Sequence, residues 1–119
     1  MDKLDEIFAK QKELDEYIKK ARGLEFKKEE WMQKKCLALI AEIAEFLDEV
    51  NYKWWKNEKE INETAVKAEL SDIFHFFVSL CIDAGMTGEE LHKYYIEKNE
   101  ENRNRQKEKK DYIAAYNNA

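Results

Sequence analysis

Two pairs of carboxylates in the middle of the chain have the types and spacing of a functional site. Glu42 and Glu45 are the charges of an otherwise apolar stretch, and Glu69 and Asp72 come directly before a long uncharged one. A spacing of three places both members of a pair on one face of a helix. If the two helices pack antiparallel, the four carboxylates meet at one place. Such a cluster is costly in an apolar setting unless protons or cations neutralise it.

Carboxylates alone offer oxygen ligands, which favour a hard divalent cation. The sequence therefore predicts a Mg²⁺ centre, with Mn²⁺ as a possible substitute, held by Glu42, Glu45, Glu69 and Asp72. Four carboxylates exceed what one partly hydrated Mg²⁺ needs, so we expect more than one ion. The alternative is a solvated acidic face, but a face of this length would normally carry lysine or arginine as well.

Several other side chains are candidates for ligand contacts. Gln11 lies on the apolar stripe of the first helix, either as a partly exposed boundary residue or as an amide that faces a ligand. Trp54 and Trp55 stand beside Lys56 in a connecting segment, where one indole could stack on a flat ligand and the lysine could approach its phosphates. His75 lies near the acids, either as a core histidine or as a ligand contact.

The last helix carries three hydrogen-bond donors along one side. Lys98, Asn102 and Arg105 offer an ammonium, an amide and a guanidinium at helical spacing. These groups suit phosphate oxygens. The alternative is a solvated charged face.

The elements that must position these residues are helices. Abundant Glu, Lys, Leu and Ala without proline indicates an all-α protein. We expect four to five helices in an antiparallel helical bundle, forming a single domain over the whole chain, with 111–119 as a flexible tail. Apolar periodicity places the helices near residues 3–21, 29–52, 63–84 and 88–110.

Composition limits the classes of partner. The 119 residues carry 39% charged side chains and a net charge of −5, which argues against a duplex nucleic-acid binder but allows a nucleotide substrate bridged by metal. Cys36 and Cys81 both lie in apolar stretches and are expected to be reduced thiols. With no signal segment and no membrane-spanning apolar run, we expect a cytoplasmic protein.

The acidic pattern resembles a known group of enzymes. Glu42-x-x-Glu45 followed by Glu69-x-x-Asp72 is similar to the paired motifs of the all-α nucleoside triphosphate pyrophosphatases, a superfamily that includes dimeric dUTPases and MazG-like enzymes. The resemblance to the dUTPase branch extends to Gln11 with Leu14-Asp15, Tyr52-Lys53-Trp54-Trp55-Lys56, His75, Lys98-Asn99, Asn102, Arg105 and Gln106. Asp15 is asparagine in several relatives, and the Gly-Tyr element often found after the last motif is missing.

The resemblance implies a homodimer that hydrolyses dUTP to dUMP and pyrophosphate with Mg²⁺. It implies that either Glu45 or Glu42 is the general base. The phosphate-binding residues would be Lys98, Asn102, Arg105 and Lys56. The base and sugar would be bound by Gln11, Trp54, Trp55 and His75.

Three alternatives remain at this stage. A MazG-like pyrophosphatase would act on dCTP or on a broader set of nucleotides. A ferritin-like di-iron protein would use Asp72-x-x-His75 as a metal element, but that fold needs the element twice and His92 is far from the acids. A non-enzymatic helical interaction module would tolerate glutamine at Glu42 and Glu69.

Overall fold

The computed structural model is built of helices. It describes the backbone of residues 1–117 and the side chains of residues 1–110. No strand occurs among these residues, which confirms the all-α prediction. The four helices are α1 (Lys3–Arg22), α2 (Lys28–Glu49), α3 (Glu63–Asp83) and α4 (Gly88–Asn117).

Helix α1 is capped at both ends. The side chain of Asp2 accepts a hydrogen bond from the backbone N–H of Asp5 at 2.8 Å, which satisfies one free donor of the first turn. Gly23 adopts φ 61°, and Leu24 N–H bonds back to the Lys19 carbonyl at 2.9 Å. A left-handed residue at this position is the common way to end a helix and is cheapest for glycine.

Helix α2 ends three residues before its predicted limit of Tyr52 because the chain turns at Asn51. Asn51 adopts φ 57°, and its side-chain amide pairs with the backbone of Lys59, donating to the carbonyl at 2.9 Å and accepting from the N–H at 3.0 Å. This pairing closes the 51–59 segment into a loop. Asn62 then caps α3 by accepting from Ala65 N–H at 3.1 Å.

Helices α1, α2 and α3 belong to one compact unit, Met1–Thr87, in which α3 packs against both others. Lys35 near the start of α2 pairs with Asp83 at the end of α3, so these two helices run antiparallel. Asp15 of α1 contacts Ser79 of α3. Consecutive helices in this unit therefore alternate in direction, which brings the middle of α2 to the start of α3, where the acids lie.

The face that α2 turns toward its neighbours differs from the predicted one. Apolar periodicity predicts that Cys36 and Ile40 lie on the core-facing stripe of α2. Both are exposed, whereas Lys35 is buried. The inward face combines Lys35 and Glu42 with half-buried apolar residues such as Leu39 and Phe46. Lys35 is accommodated there because carboxylates on α1 and α3 pair with it. The more apolar stripe is left open, with exposed Leu37, Ile40, Ile43 and Leu47. The predicted dimer would cover such a stripe, and dimerisation stays a prediction.

Helix α4 lies in a second unit, Gly88–Ala119. It continues to Asn117, beyond the predicted end near Lys110. The predicted flexible tail, 111–119, falls outside the residues whose side chains are described. Within the described part of the chain, no helix combines the length and apolar character needed to cross a membrane.

Candidate active site

Three of the four predicted metal ligands meet between α2 and α3. Glu42, Glu69 and Asp72 each offer a carboxylate oxygen, and these oxygens all lie within 4.8 Å of one another. Glu42 and Glu69 are half-buried, while Asp72 is exposed. Glu45 is exposed and stands outside this trio, one turn further along α2 from Glu42. The antiparallel packing of two helices with i, i+3 acid pairs accounts for the convergence.

Burial and neighbouring carboxylates raise the pKa of two acids of the cluster, Glu42 and Glu69. Burial, followed by the negative charge of Glu45 and then those of Asp72 and Glu69, raises the pKa of Glu42 to about 7. Burial also raises the pKa of Glu69, with Glu45 and Asp72 as the next causes. Like charges in a partly desolvated place favour the protonated acid. Glu45 is therefore electrostatically part of the site although its oxygens stand outside the trio.

The donor set fits a hard divalent cation. Glu42 and Glu69 each bury an Oε2 atom that receives no hydrogen bond from any described residue. A buried acceptor without a donor is costly, and a bound cation would remove that cost. The carboxylate oxygens and the open side formed by Asp72 suit Mg²⁺, which keeps several waters and takes few protein ligands.

Gln11 and His75 meet at a cavity of about 310 Å³ between the three helices. Gln11 is buried, which excludes the exposed-boundary alternative for this residue. His75 is exposed, and its Nδ1 lies 2.8 Å from the Ser71 carbonyl, so Nδ1 carries the hydrogen and Nε2 remains available. The cavity lining is mainly apolar and also includes Leu14, Asp15, Ile18, Lys19, Trp31, Lys34, Lys35, Ala38, Phe76 and Ser79.

A buried polar network forms one wall of this cavity. Asp15 accepts from Gln11 Nε2 at 3.0 Å and from Ser79 Oγ at 2.6 Å. Lys35 Nζ lies 3.5 Å from Asp15 Oδ2 and 2.5 Å from Asp83 Oδ2. The Lys35 side chain is 9% exposed, so the two carboxylates hold its charge within the unit.

The tryptophan pair stands on the closed 51–59 loop. Trp54 and Trp55 make an edge-to-face contact with ring centroids 4.6 Å apart, and Trp54 is 86% exposed. Neither belongs to the described lining of the Gln11 cavity, where Trp31 supplies the indole instead. Lys56 lines a separate shallow cavity with Lys53 and Lys59. The predicted roles of Trp54, Trp55 and Lys56 stay predictions.

The three predicted phosphate ligands of α4 make contacts within that helix. Lys98 Nζ and Arg105 Nη2 each lie 3.2 Å from the carboxylate of Glu101. Arg105 Nη1 is also 3.5 Å from the Asn102 amide oxygen. All these groups are exposed. Their binding to phosphate stays a prediction.

Much of the cavity wall carries little signal in the sequence, including Trp31, Lys35, Phe76 and Ser79. Lys35 lies in a run of lysines that is typical of a solvated face, and its two carboxylate partners come from other helices. Trp31 and Phe76 carry no polar group that would single them out as ligand contacts. Ser79 shares a face with Asp72 and Asp83 in the sequence, and that was the available signal for a polar stripe along α3.

Comparison with known proteins gives the family. A family model described as dUTPase matches residues 3–87, the unit that contains α1, α2 and α3. The chain belongs to this all-α dUTPase family, whose members are metal-dependent nucleotide pyrophosphatases. This match confirms the resemblance to the dUTPase branch that the acidic motifs indicated.

One relative is a dCTP pyrophosphatase of Enterobacteria phage T4, 34% identical over 100 residues. The match covers 64% of this chain and 58% of that protein, so the chain spans less than two thirds of the relative's length. No solved structure matches the chain.

Proposed function

We propose that the protein is a Mg²⁺-dependent nucleoside triphosphate pyrophosphohydrolase that converts dUTP to dUMP and pyrophosphate. The observation that carries the proposal is the trio of Glu42, Glu69 and Asp72, with two buried oxygens that lack a hydrogen-bond donor among the described residues. The dUTPase family match over residues 3–87 supports the same activity.

The trio would hold Mg²⁺, which when bound neutralises phosphate charge and lowers the pKa of bound water. Glu42 and Glu69 bind through carboxylates that are already half-desolvated, and exposed Asp72 leaves one side open to the substrate. Glu45 is the better candidate for the general base, because it stands outside the trio yet close enough to perturb Glu42. It takes a proton from the attacking water as the phosphoanhydride bond breaks.

The base enters the cavity between α1, α2 and α3. Its volume of about 310 Å³ and mainly apolar lining suit a nucleobase with part of its sugar. Trp31 and Phe76 supply flat apolar surface, Gln11 supplies an amide, and His75 lies at the α3 side, nearest to the acids in sequence. Lys98, Asn102, Arg105 and Lys56 are proposed to bind the phosphates, since each offers a donor that suits phosphate oxygens.

The exposed apolar stripe of α2 supports a homodimer. Cys36 and Cys81 are free thiols, which suits a cytoplasmic protein. A second candidate substrate is dCTP, favoured by the dCTP pyrophosphatase activity of the phage T4 relative. Both substrates require the same metal chemistry, and they differ in the hydrogen-bonding groups along the edge of the base.

The test is pyrophosphate release from dUTP, dCTP, dTTP and UTP, each with Mg²⁺ and with a chelator. We expect Mg²⁺-dependent release with dUTP as the preferred substrate. The Glu69→Gln variant removes one charge from the trio, and Glu16→Gln removes one from an exposed position on α1 as a matched control. Absence of release from all four nucleotides, or full activity in Glu69→Gln, would refute the proposal.

A further inference from the structure

We propose that Glu101 on α4 is a built-in competitor for phosphate. Its carboxylate pairs with Lys98 and Arg105 in the ligand-free protein, so that pyrophosphate binds these two cations weakly and leaves after the reaction. This inference rests on the proposed function, because it assumes that Lys98 and Arg105 bind the phosphates of the substrate. It adds a positioning residue that acts through the two cations, and it gives that residue a role in product release.

A single carboxylate bridges the two cations. Lys98 Nζ donates to Oε2 of Glu101 at 3.2 Å, and Arg105 Nη2 donates to Oε1 of Glu101 at 3.2 Å. The spacings of three and four residues place both partners beside Glu101 on the same side of α4. Lys98 and Arg105 therefore direct their charged groups at one anion, although about two helical turns separate them.

A phosphate group would make the same kind of bridge. Phosphate offers paired oxygens to ammonium and guanidinium groups, and arginine binds carboxylate and phosphate in the same geometry. The amide oxygen of Asn102 lies 3.5 Å from Arg105 Nη1, the other terminal nitrogen of the guanidinium. Glu101 thus occupies the donors that a phosphate of the substrate needs, and the phosphate has to displace it.

The bridge is weak enough to be displaced. The side chains of Lys98, Glu101 and Arg105 are 71%, 51% and 59% exposed. Exposed ion pairs contribute little stability, because water and salt screen them. A nucleoside triphosphate that also binds through its base displaces the carboxylate, whereas pyrophosphate has lost the base contacts and has to compete with it.

Arg105 lies in acidic surroundings that act in the same direction. It lines an open cavity of about 480 Å³ with Asn104 and four glutamates, Glu97, Glu100, Glu101 and Glu108. Their negative charge repels a free anion, so the affinity of this surface for pyrophosphate stays low. Among these glutamates in the described part of the chain, Glu101 is the one that pairs with Lys98 and Arg105.

Glu101→Gln is the test variant, because it removes the charge and keeps the size and helix propensity of the side chain. Glu100→Gln is the matched control. It removes one charge from the lining of the same cavity, and Glu100 forms no ion pair with Lys98 or Arg105 in the part of α4 whose side chains are described. Combining Glu101→Gln with Arg105→Met tests whether Glu101 acts through that cation, since its effect should shrink when the guanidinium is absent.

The experiment measures calorimetric binding of pyrophosphate with Mg²⁺ present, together with KM, kcat and pyrophosphate inhibition for dUTP. We expect Glu101→Gln to bind pyrophosphate about three- to tenfold more tightly and to lower KM by a similar factor without raising kcat. Glu100→Gln should stay within about twofold of wild type. Unchanged or weaker binding in Glu101→Gln, or an equal gain in Glu100→Gln, would overturn this inference. Failure of the proposed function is distinct, since the wild type would then release pyrophosphate from none of the nucleotides tested.

Discussion

Glu42 on α2 and Glu69 on α3 each bring a carboxylate oxygen to within 4.8 Å of the other, and each buries an Oε2 that no described residue hydrogen-bonds. When both are ionised, two half-buried carboxylates at this distance destabilise the metal-free fold. The site therefore stores repulsion that a divalent cation would relieve.

Replacing Glu69 by glutamine should separate stability from catalysis. Glu69→Gln keeps the size of the side chain and removes one negative charge from beside Glu42. We expect the metal-free variant to be at least as stable as wild type, while Mg²⁺-dependent pyrophosphate release falls on the order of a hundredfold. Thermal unfolding and a steady-state assay on one preparation check both parts, with Glu16→Gln expected to change neither.

Mg²⁺ should stabilise the folded protein through the trio. A ligand that binds only the folded state adds about 2.7 kcal/mol at ~100-fold excess over its Kd. We expect Tm of the wild type to rise with Mg²⁺ and Tm of Glu42→Gln to rise much less. Glu16→Gln should respond as wild type does. An equal Mg²⁺ response in wild type and Glu42→Gln would show that the ion binds elsewhere.

The pH dependence of stability should carry the signature of Glu42. Its pKa is raised from 4.5 to about 7 in the folded, metal-free protein, by burial and by the charges of Glu45, Asp72 and Glu69. Between these values the folded state holds a proton that the unfolded chain has released, so the free energy of unfolding falls as pH rises. Glu42→Gln removes this loss.

The measurement is the difference in Tm between Glu42→Gln and wild type, both in chelator, from about pH 4 to about pH 8. We expect the difference to grow in favour of the variant as pH rises through the window and to level off above the raised pKa. Comparison with the variant cancels the titration of groups that lie away from Glu42. A difference that stays constant with pH would contradict the prediction.

The sequence predicts the acid trio of Glu42, Glu69 and Asp72 from two features. The acids lie in or beside apolar helical stretches at a spacing of three, and antiparallel packing of the two helices brings them into register. The all-α class follows from composition in the same way. What the sequence could not predict is the rotation of α2 about its axis, which leaves Cys36 and Ile40 exposed.

That rotation is set by tertiary partners that no local pattern reveals. Lys35 can be buried because Asp15 and Asp83, distant in sequence, supply opposite charge. Hydrophobic periodicity treats lysine as a surface residue, so it predicts that a different face of α2 is buried. The same network fixes Gln11, which the sequence marked as unusual only because an amide stood on an apolar stripe.

Removing the charge of Lys35 should strongly destabilise the fold. Lys35→Met keeps the length of the side chain but leaves Asp15 and Asp83 buried together without their cation. Breaking a buried ion pair from one side costs about 3 kcal/mol or more. Urea unfolding measures the loss.

Lys34→Met is the matched control, because Lys34 is the adjacent residue and its pair with Glu30 is 48% exposed on each side. Exposed pairs of this kind contribute about 0.5 kcal/mol or less. Similar losses in the two variants would show that Lys35 contributes through packing of its stem and not through its charge.

The loop that carries Trp54 and Trp55 should depend on Asn51. The Asn51 amide both donates to and accepts from the backbone of Lys59, and φ of 57° suits asparagine or glycine better than alanine. Asn51→Gly allows the backbone conformation and removes the amide. Asn51→Ala removes the amide and also disfavours the backbone conformation.

We expect amide hydrogen exchange at Lys59 to accelerate in Asn51→Gly and more so in Asn51→Ala, since Lys59 N–H loses its acceptor in both. Asn57→Ala, an exposed substitution in the same loop, should leave the exchange unchanged. If the loop contacts the nucleotide, KM should rise in Asn51→Gly while kcat changes little. Unchanged protection at Lys59 would mean that the loop is held by the ion pair of Lys59 with Glu49, 3.7 Å apart, and not by the Asn51 amide.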